Sequence, residues 1–151
     1  MDPTPAQQLA RFLKKYDPAV AAVARGALAR LRKRLPGAME LVYDNYNALA
    51  IGFGPSQRAS EVVISIALYP RWVTLFFLHG ARLADPKKIL KGSGTRVRHI
   101  VLHAAADIGS KDIQALISAA LKLAGDPIEG RQRRQLIIKS VSNKQRPWRP
   151  G

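Results

Sequence analysis

The chain has 151 residues, 47% of them apolar, which suffices for one domain with a buried core. It contains no cysteine, and this excludes disulfides, thiolate metal sites and cysteine nucleophiles. The net charge is +15, and most of it lies in residues 11–35, with eight Lys/Arg and one Asp, and in residues 131–151, with seven Lys/Arg and no acid. Such blocks favour polyanionic partners.

The sequence also bears on the compartment. No segment reaches the roughly 18 consecutive apolar residues of a membrane span, and the N-terminal residues lack the basic-then-apolar order of a signal peptide. We therefore expect a cytoplasmic protein without a membrane partner.

Two helices are predicted in the first quarter of the chain. Thr4, Pro5 and Gln7 have the pattern of a capping box with proline at the first helical position. Asp17-Pro18 repeats the start signal, and an apolar stripe at helical spacing follows until Pro36-Gly37.

The pattern then becomes extended. Strands are predicted at 39–43, 47–53, 62–69 and 72–78, and the last two are joined so briefly that an antiparallel hairpin is expected. Residues 72–78 are apolar on both sides, which predicts that both sheet faces are covered at the centre. Glu40 and Asp44 lie on one side of the first strand, and we expect them to be solvated surface acids.

The rest of the chain predicts one helical turn at 86–90, a strand at 97–103, and a helix at 111–124 that Ser110 caps and Gly125 ends. Residues 1–130 are thus predicted to form a single α+β domain with helices against an antiparallel sheet. Residues 131–151 are predicted to be a basic tail, unless the apolar run 136–141 is a strand of the sheet.

Several short blocks in the middle of the chain, LVYDNYNALAIGFG, SIALYPRWVTLFFLHGARLADP and LKGSGTRVRHIVL, follow one another as in the bacterial YdhG-like family. The resemblance covers about residues 17–125. It implies an α+β fold with a curved antiparallel sheet flanked by N-terminal and C-terminal helices. Some members are described as frataxin-like iron chaperones, so the resemblance also implies iron delivery as one alternative.

A glycine loop precedes the strand at 97–103. Its two glycines permit a backbone nest of N–H groups, and its hydroxyl and cationic side chains suit a phosphate or a carboxylate. The predicted anion-binding residues are Lys91, Gly92, Ser93, Gly94, Thr95, Arg96 and Arg98. The alternative is a flexible turn that only leads into the strand.

Aromatic and polar residues occur at the ends of two predicted hairpins. If the hairpin ends meet, they form a pocket with aromatic walls, and Ala48, Ala50 and Gly52 leave room beside it. The predicted pocket residues are Tyr43, Asn45, Tyr46, Tyr69, Arg71 and Trp72. The alternative is a packed sheet with an aromatic rim.

The basic tail suggests contact with nucleic acid. Lys144, Arg146 and Arg149 can hold phosphates, and Trp148 can stack on an unpaired base. The alternative is a solvated end that aids solubility.

The sequence indicates no catalytic constellation, cofactor or metal site. His99 and His103 have the spacing that chelates zinc on a helix, but in a strand four residues span about 13 Å, too far for one ion. We therefore expect a non-enzymatic protein that binds nucleic acid, another polyanion or a phosphate-bearing small molecule. The alternatives are a small-molecule-binding or catalytic pocket of unknown chemistry, and iron delivery.

Overall fold

The computed structural model describes residues 2–128 and 134–145. These residues form three α-helices, α1 (Pro5–Lys14), α2 (Pro18–Arg34) and α3 (Lys111–Leu123). The predicted caps are confirmed, since Thr4 and Gln7 form the capping box of α1, and Ser110 accepts a hydrogen bond from the backbone N–H of Ile113. Gly125 has a φ of +82°, which suits a residue that ends a helix.

Within the described part of the chain, six strands form one open, curved sheet: β1 (Met39–Asp44), β2 (Leu49–Gly54), β3 (Ile64–Leu68), β4 (Val73–Phe77), β5 (Arg98–Leu102) and β6 (Leu136–Val141). Their order across the sheet is β5-β4-β3-β2-β1-β6. Strands β1 to β5 form an antiparallel meander, whereas β6 pairs with β1 in parallel. The predicted α+β class, with helices from both ends of the chain, is confirmed.

The core lies between the helices and one face of the sheet. Large apolar side chains of β2, β3 and β4, among them Phe53, Ile66 and Phe77, are fully buried there. They belong to one cluster with the apolar stripes of α1, α2 and α3. All three described helices thus cover the same face.

The opposite face is also covered at its centre, as the sequence predicted, although none of the described α-helices covers it. We call it the open face. Its buried members, Leu41, Ala67 and Thr74, lie outside the helix-facing core cluster. Most positions at its centre carry small side chains, which larger neighbours on a curved sheet can shield. The two-sided apolar pattern therefore did not require a second helical layer.

The prediction that Glu40 and Asp44 are solvated is wrong. Both side chains point toward the helices and are fully buried. Glu40 accepts two parallel hydrogen bonds from Arg32, at 2.8 and 2.9 Å, and Arg134 lies 3.5 Å from it. Asp44 pairs with Lys15 at 2.7 Å. A buried carboxylate requires such partners, and cations from α2, the end of α1 and the segment before β6 supply them.

Two further segments differ from expectation. The predicted helical turn at 86–90 is a tight turn in which the Asp85 carboxylate accepts hydrogen bonds from the backbone N–H groups of Ile89 and Leu90. Lys88, with a φ of +54°, cannot continue a right-handed helix. Leu136–Val141 is a strand, the alternative left open above, so the sheet includes part of the predicted tail.

Candidate nucleic-acid interface on the open face

The strand registers place side chains on the open face in two rows across the sheet. The first row contains Tyr43, Ala50, Ala67, Thr74 and Val101, and the second contains Leu41, Gly52, Ser65, Phe76 and His99. Small side chains of β2 and β3 lie between larger ones on the outer strands. The centre of the face along β2 and β3 is therefore formed by small residues. Val62 covers Gly52 on this face, because its methyl groups lie 3.0–3.1 Å from where a side chain on Gly52 would begin.

Aromatic rings occupy one end of the open face. Tyr69 and Trp72 flank the β3–β4 turn and stack with their ring centroids 5.4 Å apart. Trp72 is 46% exposed, and Tyr46, in the β1–β2 turn, is 50% exposed. Burial raises the pKa of the Tyr69 hydroxyl above its usual value of 10.0, so it remains a neutral donor at physiological pH. Exposed rings of this kind can stack on planar ligands.

The residues of the predicted aromatic pocket thus lie partly on the open face and partly in the turns at its end. Strand alternation puts Tyr43, Asn45, Tyr69 and Trp72 on the open face, with Tyr46 and Arg71 in the adjoining turns. Strand β2 separates β1 from β3, so Tyr43 and Tyr69 are about 10 Å apart across the sheet. Asn45 is engaged locally, since its side-chain oxygen accepts a hydrogen bond from Ser140 at 3.3 Å.

The residues of the predicted glycine loop lie in three different places. Lys91 forms an antiparallel bridge with His99, so its side chain emerges on the open face. The Arg98 guanidinium donates to the carbonyl oxygens of Gly94 and Val97, at 2.7 and 2.8 Å. Carbonyls rather than N–H groups thus converge on this side chain. Gly92, Ser93 and Thr95 are exposed, and Arg96 lines a small cavity beyond the end of β4.

The charged side chains that the described strands present on the open face are basic. None of the described strand residues that point to this face is acidic, because the two acids of β1 point to the helices. Lys91 and His99 lie at the β5 edge. Lys139 lies at the β6 edge, where its ammonium donates to the carbonyl of Gln57 at 3.1 Å. Arg71 is exposed in the turn beside Trp72. The face therefore offers cations at three sides of an aromatic surface.

Tyr43 adds a polar group beneath this surface. Its hydroxyl is buried, and it has no hydrogen-bond partner within residues 2–128 and 134–145. Buried hydroxyl groups in proteins are normally hydrogen-bonded. The hydroxyl lies beneath the surface, so a bound group would reach it only if neighbouring side chains moved.

Only some of the predicted tail residues lie within the described part of the chain. Lys144 is exposed, whereas Arg146, Trp148 and Arg149 lie outside the described residues. The side-chain amide of Gln145 donates to the carbonyl of Asp44 at 3.4 Å. The described chain therefore ends at the same end of the sheet as the aromatic turns.

The histidines that were considered for metal binding are placed by β5. His99 lies within the strand and His103 just after it, as the strand prediction required. Across the two described ranges, no three His, Asp or Glu side chains come close enough to hold a metal ion.

Sequence reasoning missed three residues of this surface: Phe76, His99 and Lys139. His99 and Phe76 are neighbours, with ring centroids 5.8 Å apart. Strict alternation along β4 and β5 could have assigned both to the face opposite Phe77. The position of Lys139 could not have been found, because it depends on β6 pairing with β1 in parallel.

Comparisons with known proteins do not assign this chain to a family. No family model, no curated protein and no solved structure matches this chain. The resemblance to the YdhG-like family therefore stays a prediction. Within the described residues, no helix combines the length and the apolar character needed to cross a bilayer.

Proposed function

We propose that this chain is a non-enzymatic binding protein for a phosphate-bearing polyanion, and that its open face binds single-stranded nucleic acid. One observation carries the proposal. The sheet face that no described helix covers bears exposed aromatic rings, has cations along its edges and lacks acidic strand residues.

The aromatic rings supply contacts that do not depend on sequence. Every base has a π-face, and stacking on an aromatic side chain contributes about 1–3 kcal/mol per base. Trp72 and Tyr46 are the most exposed aromatic side chains among the described residues. They lie at adjacent turns of one sheet end, which suits consecutive bases of an unpaired strand.

The cations supply the phosphate contacts. The β5 and β6 edges are five strand spacings apart, about 24 Å. A strand that crosses the face would meet Lys91 near one edge and Lys139 near the other. Binding of this kind releases counterions and depends steeply on salt concentration.

An unpaired strand fits this surface better than a duplex. Duplex readers insert a helix or a β-ribbon into a groove, whereas the open face is a shallow sheet surface with exposed rings. Its arrangement is similar in principle to other sheets that stack bases on aromatic side chains. We include Lys144, Arg146, Trp148 and Arg149 in the interface on the basis of sequence alone.

Iron delivery, which the family resemblance implies for some members, has less support. An exposed cluster of carboxylates suits iron, but Glu40 and Asp44 are buried and paired with cations.

The direct test is a binding titration of the full chain with a short labelled single strand of mixed sequence and with its duplex, over a salt series. The single strand should bind more tightly, with an affinity that falls as salt rises. No binding of the single strand at low salt, or tighter binding of the duplex, contradicts the proposal. If a phosphate-bearing small molecule displaces the labelled single strand at equal phosphate concentration, the ligand belongs to that class of small molecules.

A further inference from the structure

A separate cleft lies at the sheet end opposite the aromatic turns. It encloses about 340 Å³ between the start of β3, the end of β4 and the C-terminal part of α3. This volume is within the range of small-molecule sites, about 300–1,000 Å³. Val62, which packs on Gly52 of the open face, also lines the cleft, but none of the described aromatic or basic residues of the proposed interface does.

One wall of the cleft is apolar. Val63 and Phe77 come from the sheet, and Ala120 and Leu123 come from α3. Leu123 is 37% exposed although it adjoins a buried core. The cleft thus offers an apolar surface that water still reaches, which favours the binding of an apolar group.

The other wall is polar and carries His79 and Arg82. Both lie on the segment after β4, where the backbone N–H of Arg82 donates to the carbonyl of His79 at 3.1 Å. Glu61 is the one acid among the described lining residues, and its carboxylate accepts a hydrogen bond from Ser56 at 2.8 Å. That bond helps to hold the acid on the loop side of the cleft.

A second, smaller cavity of about 180 Å³ adjoins the cleft. The two share Ser60, Val62 and His79, and Arg96 lines the smaller one. The N–H of Ala81 donates to the carbonyl of Arg96 at 2.9 Å, which ties the Arg82 turn to the glycine loop. Gly80 permits this approach, since a side chain there would begin 2.5 Å from the Cβ of Arg98. His79 thus lies where the cavities meet, with Arg82 lining the cleft and Arg96 lining the smaller cavity.

From this arrangement we infer that the cleft binds a small carboxylic acid with a compact apolar body. The apolar body would lie against Phe77, Ala120 and Leu123. The carboxylate would lie at the opposite wall, where the Arg82 guanidinium can donate two parallel hydrogen bonds and His79 a third. The C-terminal end of α3 carries partial negative charge, so the anionic group belongs on the arginine side.

The test is calorimetric titration of the full chain with octanoate, with acetate and with octyltrimethylammonium. Octanoate should bind at one site. Acetate lacks the apolar body and the ammonium compound reverses the charge, so neither should bind there. Absence of octanoate binding, or equal binding of the ammonium compound, overturns the inference.

Variants separate this cleft from general attraction to a basic protein. Arg82→Gln and Leu123→Asn should each weaken octanoate binding by about tenfold or more. Arg82→Lys should restore part of the loss. Lys122→Gln, which removes an exposed cation next to Leu123 but outside the lining, should leave binding unchanged. Equal affinity in the Arg82→Gln and Lys122→Gln proteins overturns the inference, whatever the outcome for nucleic acid.

Discussion

Lys91 and His99 are joined by two reciprocal backbone hydrogen bonds of 2.9 Å, although 91 lies in a glycine loop and 99 in the edge strand β5. Paired residues of an antiparallel bridge point to the same side of the sheet. The bridge therefore places the lysine side chain next to His99, on the side away from Phe76. Lys91, a residue of the predicted anion-binding loop, thus adds a cation to the open face.

Trp72 is expected to contribute stacking energy. Trp72→Ala should weaken single-strand binding by about 1–3 kcal/mol, roughly 5- to 150-fold, because a ring that stacks on a base is lost. Trp72→Phe keeps an aromatic ring and should lose much less. Fluorescence anisotropy with a labelled strand measures both. Since Trp72 is 46% exposed, thermal unfolding should show a folded protein in each case. Equal losses in the two variants would argue against stacking.

The cations of the open face should act through phosphate. The double variant Lys91→Ala, Arg71→Ala should lower the slope of log affinity against log salt by about 1.4, at about 0.7 per phosphate contact on a single strand. The control is Lys111→Ala, Lys122→Ala, which removes the same charge from exposed positions of α3 on the other side of the sheet. An identical change of slope in the two proteins would show that only net charge matters.

The buried carboxylate Glu40 makes Arg32 important for stability. Arg32→Met removes the two-point partner of a fully buried acid. The free energy of unfolding should fall by about 2–3 kcal/mol, less than for a fully buried pair, because Arg32 is partly exposed and Arg134 still faces the acid. Urea denaturation measures the change. The control Arg25→Met, at an exposed position of the same helix, should cost about 0.5 kcal/mol or less. A similarly small cost for Arg32→Met contradicts this account of the pair.

Removal of β6 should destabilise the sheet. A chain that ends at residue 135 loses the strand paired with β1 and exposes the backbone of that edge. A chain that ends at residue 145 keeps β6. Urea denaturation should show the larger loss of stability for the shorter chain, and light scattering should show more self-association. Equal stability of the two would mean that β6 adds nothing to the domain.

Much of the fold could be predicted, because local signals decide it. Caps, helical stripes and alternation located three helices and five strands to within a few residues. The sixth strand was harder, since its partner β1 lies about a hundred positions earlier in the chain. The turn at 86–90 was mistaken because the Asp85 carboxylate binds the backbone in a non-helical turn that composition does not reveal.

The candidate interface was predicted only in part. Tyr43, Tyr69 and Trp72 were selected together, and strand alternation does put them on one face. The partners of Glu40 could not be found from the sequence, because Arg134 comes from a segment that only tertiary structure brings to β1. For the same reason, the sequence could not show that the described strands present no acid on the open face.

The proposal that the open face binds single strands is tested most directly at Trp72. The chain has two tryptophans, so Trp148→Phe leaves Trp72 as the sole indole emitter. Titration of this variant with a single-stranded oligothymidine should quench its emission to a plateau, and added salt should restore it, because stacking depends on phosphate contacts. Unchanged emission while anisotropy shows the strand bound would place the interface elsewhere and contradict the account.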